Sequence, residues 1–184
     1  MLSVAEKLKM IVLFFPTLKT ISCVGKFNIK SEDWAAFLGL YIAEGHCAGS
    51  KGSKKRNDIG ITQNPGDKQD RIKDLLNKLP FKFKLIGNNR QFIAHDADLY
   101  LHLSTLGNSF EKHVPQYAKN WCPSLLRVMF DWMLLGDGKN RKDRDGTILK
   151  EYCTISPILA KDVLELTVKL GNGGSISSYQ PIDR

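Results

Sequence analysis

The chain has 184 residues, with 27 Lys and Arg against 19 Asp and Glu, a formal net charge of +8 and a pI near 9.3. That length suits one domain, or two fused halves around a shared core, and the positive excess favours a polyanionic partner, nucleic acid first. No run approaches the roughly 18 apolar residues that a membrane span requires.

Residues 1–30 read as a lead-in: short apolar runs with Pro16 and Gly25 and no sustained periodicity. Its "MIVLFF" is shorter than the ~7–15 apolar residues of a signal core, which predicts a buried strand or short helix and no secretion. From Ser31 the pattern sharpens. Ser31 or Asp33 can cap a helix through Trp34, Phe37, Leu38, Leu40 and Tyr41 to Gly45. "DIGITQ" (58–63) predicts a strand, and "DKQDRIKDLLNKL" (67–79) a helix with Ile72, Leu75, Leu76 and Leu79 on one face. "FKFKLIG" and "RQFIAHD" predict a hairpin around "GNN", and "DLYLHLSTLG" (98–107) another helix. The order then restarts. Ser124 can cap a helix through Leu125, Val128, Met129, Met133 and Leu134 to Gly138. "TILKEYCTIS" (147–156) predicts a strand. "SPILAKDVLELTVKLG" predicts a helix with Ser156 as cap, Pro157 at its first position and Gly171 after its end, and "SISSYQPI" a last strand.

The two runs form an internal repeat. Gly45 to Gln63 and Gly138 to Ser156 each span 18 positions, and "RIKDLLNKL" aligns with "DVLELTVKL". The repeat predicts an α+β protein with two halves related by a pseudo-two-fold axis and meeting at equivalent helices. The boundaries fall at 1–30, 31–122 and 123–184, the second copy being the shorter.

Both first helices end on an acid followed by glycine: "FLGLYIAEG" (37–45) and "FDWMLLGDG" (130–138). A carboxylate at the negative end of a helix macrodipole is disfavoured by about 0.3–1 kcal/mol. One such ending reads as a polar residue before a glycine cap; two at equivalent positions mark a site. Gly39 and Ala43 permit close contact between the helices, which would bring Glu44 and Asp137 together. Two converging carboxylates suit a hard divalent cation such as Mg²⁺, with backbone oxygens as further ligands, and metal-bound acids facing a phosphodiester suit hydrolysis.

These endings, the "EKHVPQYAKNWCPSLLRVMF" segment leading into the second and the "YCTISPILAKDVLELTVKLG" segment after it together resemble the LAGLIDADG (dodecapeptide, DOD-type) homing endonucleases, the intein-associated type above all. The resemblance covers residues 31–179. It implies two αββαββα halves joined at the signature helices, antiparallel sheets gripping double-stranded DNA, and a monomer that cuts both strands with divalent metal. It assigns Glu44 and Asp137 as metal-binding acids, with Gly45 and Gly138 beside them in the metal site. Lys112 becomes the catalytic lysine of the first half and Gln63 a polar active-site residue at a strand end, with Ser156 as its repeat partner. Trp132 stands where the family keeps a small residue at the helix interface. A second-half counterpart of Lys112 would lie beyond Arg184, so the second repeat is expected to be incomplete. Neither an N-terminal splicing cysteine block nor a terminal His-Asn is present. The remaining alternatives are a DNA- or RNA-binding relative that does not cleave, such as a maturase or transcription regulator, and an inactive remnant.

Two basic segments follow the signature helices: "KGSKKR", with Lys51, Lys54, Lys55 and Arg56, and "KNRKDR", with Lys139, Arg141, Lys142 and Arg144. Either alone reads as a solvated loop; their equivalent placement points to phosphate contact. Lys82, Lys84, Arg90 and Gln91 alternate along the hairpin, one face of which can enter the major groove. Cys23, Cys47, Cys122 and Cys153 lack CxxC spacing and read as free thiols of a reducing compartment, the cytoplasm or wherever the host DNA resides.

Overall fold

A computed structural model describes residues 21–24, 27–48 and 57–178. The 1–20 stretch with "MIVLFF" and the 51–56 basic segment lie outside the described residues. A short antiparallel hairpin, β1 (Ile21–Val24) and β2 (Phe27–Ile29), leads directly into helix α1 (Ser31–Glu44). Ile29 is buried, and the Phe27 ring meets Phe81 edge-on at 5.3 Å, so the end of the lead-in belongs to the core of the first half.

The first half then runs β3 (Gly45–Ala48), β4 (Asp58–Thr62), α2 (Asp67–Asn77), β5 (Lys84–Ile86), β6 (Gln91–His95) and α3 (Ala97–Ser104). Its four strands are antiparallel in the order β3-β4-β6-β5. Alternation gives the sheet two unlike faces. Ile59, Ile61, Phe92 and Ala94 are buried against the helices. His46, Asp58, Lys84, Gln91 and His95 line a groove of about 790 Å³ on the other face. The hairpin turns as its sequence predicts, through Gly87, Asn88 and Asn89, all at positive φ.

A short helix, α4 (Gln116–Lys119), leads to the second half: α5 (Pro123–Asp137), β7 (Gly138–Lys142), β8 (Ile148–Tyr152) and α6 (Pro157–Lys169). β7 and β8 pair antiparallel. Of the expected last strand, residues 175–178 carry no regular structure, and the remainder lies outside the described residues. No helix among the described residues is long and apolar enough to cross a membrane.

Helices α1 and α5 form the centre of the molecule. Almost all of α1 is buried: Trp34, Phe37, Leu38, Leu40, Tyr41 and Ile42 are each at most 1% exposed. The backbones meet closely because the contact positions are small. A Cβ on Gly39 would lie 2.1 Å from the Met129 carbonyl oxygen, and one on Gly136 would lie 2.5 Å from the Ala43 Cβ. Trp132 departs from the small-residue pattern without parting the helices. Its Cβ sits over Gly39, and its ring helps line a groove shared with Ala36, Leu75 and Val128, where the Arg71 guanidinium stands 5.7 Å from the ring centre.

Three local expectations are corrected. The residue flanking α1 is Lys30, and that flanking α5 is Cys122; neither helix has a side-chain cap, and Ser31, Asp33 and Ser124 all lie inside the helices. The "KNRK" of 139–142 is paired strand, not loop; its near-complete exposure removes the apolar alternation that would have marked it. The repeat partner of Gln63 is not Ser156. Ile61 pairs with Gly45 and Tyr152 with Gly138, so the ladder aligns Gln63 with Thr154.

Candidate active site

Each signature helix passes into a strand without a loop. Gly45 (φ −89°, ψ 150°) and Gly138 (φ −84°, ψ 149°) are extended, and each N–H closes the last helical turn, on Tyr41 O and Leu134 O. Glycine is required there by close approach. A Cβ on Gly45 would lie 2.2 Å from the Tyr41 ring, and one on Gly138 would lie 2.3 Å from the Leu134 carbonyl oxygen. The paired helices therefore end abruptly, with Glu44 and Asp137 at the junctions.

The charge of Asp137 reaches the Glu44 carboxyl. Burial is the main cause holding the Glu44 carboxyl above its usual range, and the charge of Asp137 adds to it; Lys68 and the Gln63 hydrogen bond oppose both. Asp137 is also pushed up by burial, against Tyr152, Lys68 and Lys112. Asp137 is solvent-exposed, so screening limits its shift.

The other expected residues gather here. Gln63 Nε2 donates to Glu44 Oε1 at 3.3 Å. Its backbone is tied on both sides: its N–H donates to Arg90 O at 2.9 Å, and its carbonyl accepts from Gln69 Nε2 at 2.9 Å. Gln69 also donates to Asn89 O, which joins the hairpin turn to the site. Lys112 is only 6% exposed. Its Nζ donates to Gly45 O at 2.9 Å and lies 4.3 Å from the centre of the Tyr41 ring. Burial lowers the Lys112 ammonium to about 8, partly offset by Cys47 and Asp137.

Two participants were not singled out in the sequence. Tyr152 O–H donates to Asp137 Oδ2 at 3.4 Å, and burial and that acid hold its phenol above the usual range. Lys68, in the first turn of α2, acts on both carboxylates. Strand register would have found Tyr152, since it pairs with Gly138. Lys68 carries no local signal.

The donor set fits a hard divalent cation. Two carboxylates sit at two negative helix ends, where a cation is favoured. Among the described residues no group of three His, Cys, Asp or Glu assembles, so the remaining positions would fall to backbone oxygens, water and the substrate, as magnesium prefers. The Gly45 carbonyl already accepts from Lys112, which leaves it one lone pair.

The expected DNA-contacting residues are distributed unevenly. Lys84 lines the sheet groove, where Gln91 Nε2 donates to His46 Nε2 at 3.1 Å. Lys82 precedes β5 and is exposed, as are Arg90, Lys142 and Arg144. Lys139 and Arg141 both pair with Glu151 across the β7–β8 ladder, at 3.0 and 2.9 Å, which offsets part of their charge.

This architecture, two αββ-containing halves joined at helices that end in acids, is the LAGLIDADG homing endonuclease fold. Among solved structures the chain is similar to the homing endonuclease I-DmoI in complex with DNA and manganese, at TM-score 0.54 and 14% identity over 82% of this chain and 84% of that one. A glutamate-to-alanine variant of I-DmoI with its target DNA and manganese matches at TM-score 0.51 and 15% identity, over 77% and 76%. A glycine-to-serine variant with target DNA and magnesium matches at TM-score 0.51 and 15% identity, over 77% and 78%. Among curated proteins the chain is similar to an ATP-dependent Clp protease proteolytic subunit of Chlamydomonas moewusii, 27% identical over 164 residues. That match takes in 85% of this chain but only 16% of the longer protein. No family model matches the chain.

Divalent metal is expected to stabilise the protein. A carboxyl whose folded pKa is raised adds stability below its unfolded pKa and loses it as pH rises through the folded value. Near pH 7.5 the half-buried Glu44 carboxylate is therefore a cost that a bound cation would offset, the exposed Asp137 contributing less. Thermal unfolding at that pH should show Tm rising with Mg²⁺ or Mn²⁺. The Glu44→Gln, Asp137→Asn double variant should start higher than the metal-free wild type and gain nothing from metal.

Proposed function

We propose that this protein is a site-specific, divalent-metal-dependent endodeoxyribonuclease that hydrolyses phosphodiester bonds in double-stranded DNA. The observation that carries this reading is the convergence of Glu44 and Asp137 at the ends of two tightly packed helices, with Gln63 and Lys112 beside them. Glu44 and Asp137, with backbone oxygens at Gly45 and Gly138, would hold Mg²⁺ or a similar ion, which when bound lowers the pKa of water and offsets charge on the phosphate. Gln63 fixes the Glu44 carboxylate. Lys112, buried beside Gly45 and with its pKa lowered to about 8, can hold or move a proton and stabilise developing negative charge. I-DmoI, which shares this fold, is described in complex with DNA and with manganese, calcium or magnesium, which supports the same partner and metal class here.

The groove face of the β3-β4-β6-β5 sheet and the strand β7 would meet the DNA. With Lys82, Lys84, Arg90, Lys142 and Arg144 exposed, the logarithm of the association constant should fall with the logarithm of salt concentration at a slope of about −4 or steeper, as counterions leave the duplex. Fluorescence anisotropy across a salt series checks this; a flat dependence contradicts it.

The similarity to a sixth of a Clp protease subunit supports reading the matched part of that protein as an endonuclease-like insertion in a protease reading frame, and this chain as the same kind of intein or mobile insertion. The test is cleavage, in Mg²⁺ or Mn²⁺, of a duplex library holding uninterrupted Clp-subunit coding sequence and randomised sites. Double-strand breaks enriched at one sequence support the reading. Tight, sequence-selective binding with no cut in either metal would mark a non-cleaving relative instead.

A further inference from the structure

Lys112 belongs by sequence to the first half, between α3 and α4, yet its backbone is held by the second. Ser156, the N-cap of α6, donates its hydroxyl hydrogen to Lys112 O at 2.8 Å while its oxygen accepts from Leu159 N at 3.2 Å. Two residues on, Val114 N–H donates to Asp162 Oδ2 at 2.8 Å. The other oxygen of Asp162 takes the Lys119 ammonium, which also reaches Glu165 at 3.2 Å. Ser156 is 1% exposed and Asp162 4%. A carboxylate buried that deeply is costly unless its oxygens are satisfied, and an apolar residue of similar shape would serve packing at least as well. Asp162 spends one oxygen on the main chain beside Lys112. The peptide groups on either side of His113 are thus fixed at two points, while the Lys112 side chain extends the other way to Gly45 O and the Tyr41 ring.

We propose that Ser156 and Asp162 are positioning residues for Lys112: the second half sets the place of the first half's lysine through its backbone. The catalytic consequence rests on the endonuclease reading; the positional one does not. Ser156 thereby acquires a role unlike the one its place in the sequence repeat implied. It does not face the carboxylates, as Gln63 does, but anchors the chain that delivers the amine.

The test separates position from stability. Asp162→Ala removes the acceptor for Val114 N–H. Lys119→Met breaks the ion pair but leaves that acceptor in place, and Ser156→Ala removes the anchor on Lys112 O. Lys112 reactivity is read in the DNA-free protein by labelling with an amine-acylating reagent and peptide mass spectrometry, alongside Tm, DNA affinity and single-turnover cleavage. In the wild type Lys112 should be among the slowest lysines to react. Asp162→Ala should raise its labelling about tenfold or more through local opening. It should lower the cleavage rate on the order of 10²-fold, the scale of a misplaced catalytic group, with DNA affinity unchanged. Ser156→Ala should move the same readouts in the same direction. Lys119→Met should lower Tm but leave Lys112 labelling and cleavage as in the wild type. The proposal is overturned if Asp162→Ala leaves Lys112 as protected as in the wild type, or if Asp162→Ala and Lys119→Met change labelling and rate alike, in step with Tm. If the wild type cuts no DNA, the endonuclease reading fails while the labelling still decides the clamp.

Discussion

Glu44→Gln and Asp137→Asn, made singly, are each expected to lower the single-turnover rate of DNA cleavage by roughly 10³-fold or more, while DNA affinity holds or rises slightly. Both substitutions keep the shape of the side chain and its place at the end of a packed helix. On the proposed reading, each removes one of two anionic ligands and a charge that would repel the incoming phosphate. The coupling seen in the structure makes the effects non-additive. Glu44 is pushed up by Asp137, so losing Asp137 changes Glu44. The double variant should therefore be hardly slower than the slower single variant. Gel analysis of a duplex labelled on both strands checks all three. A single variant that cuts at the wild-type rate removes that residue from the site.

Gly39→Ala is expected to destabilise the fold by about 3 kcal/mol, although alanine is the better helix former by nearly 1 kcal/mol. The added Cβ would stand 2.1 Å from the Met129 carbonyl oxygen, a backbone atom that can yield only if α5 as a whole moves. Gly136→Ala meets the Ala43 side chain at 2.5 Å, nearer the active end, and should cost less in stability but more in activity, since it parts Glu44 from Asp137 directly. For a chain of this length 3 kcal/mol corresponds to a fall in Tm of roughly 6–12 °C. Calorimetry of the two variants beside the wild type measures this. An unchanged Tm in Gly39→Ala would mean that the helices do not meet as described.

Much of the candidate site's arrangement was legible because the sequence breaks a local rule twice. An acid at the wrong end of an apolar helix draws attention to Glu44 and Asp137, and the small residues Gly39 and Ala43 say how they meet. Periodicity also placed α2, α3 and α6 closely, and Ser156 caps α6 as its sequence implies. What was missed has physical reasons. The strand β7 is exposed along nearly its whole length, so no apolar alternation reports it. The equal spacing that matched Gln63 with Ser156 counts residues, whereas the ladder counts pairs, and the connection between β7 and β8 is shorter than that between β3 and β4. Tyr152 meets Asp137, and the Lys68 charge acts on both acids, only through tertiary packing. The same packing gives Ser156 and Asp162 their hold on Lys112, which no spacing along the chain expresses.

The central claim is that Glu44 and Asp137 share one divalent-metal site facing the scissile DNA. Anomalous scattering from Mn²⁺, in crystals of the protein with its selected target duplex, tests it most directly. A manganese peak in contact with both carboxylates and a DNA phosphate, lost in the Glu44→Gln, Asp137→Asn double variant, is the predicted result. Bound DNA with no manganese at these two acids would contradict it.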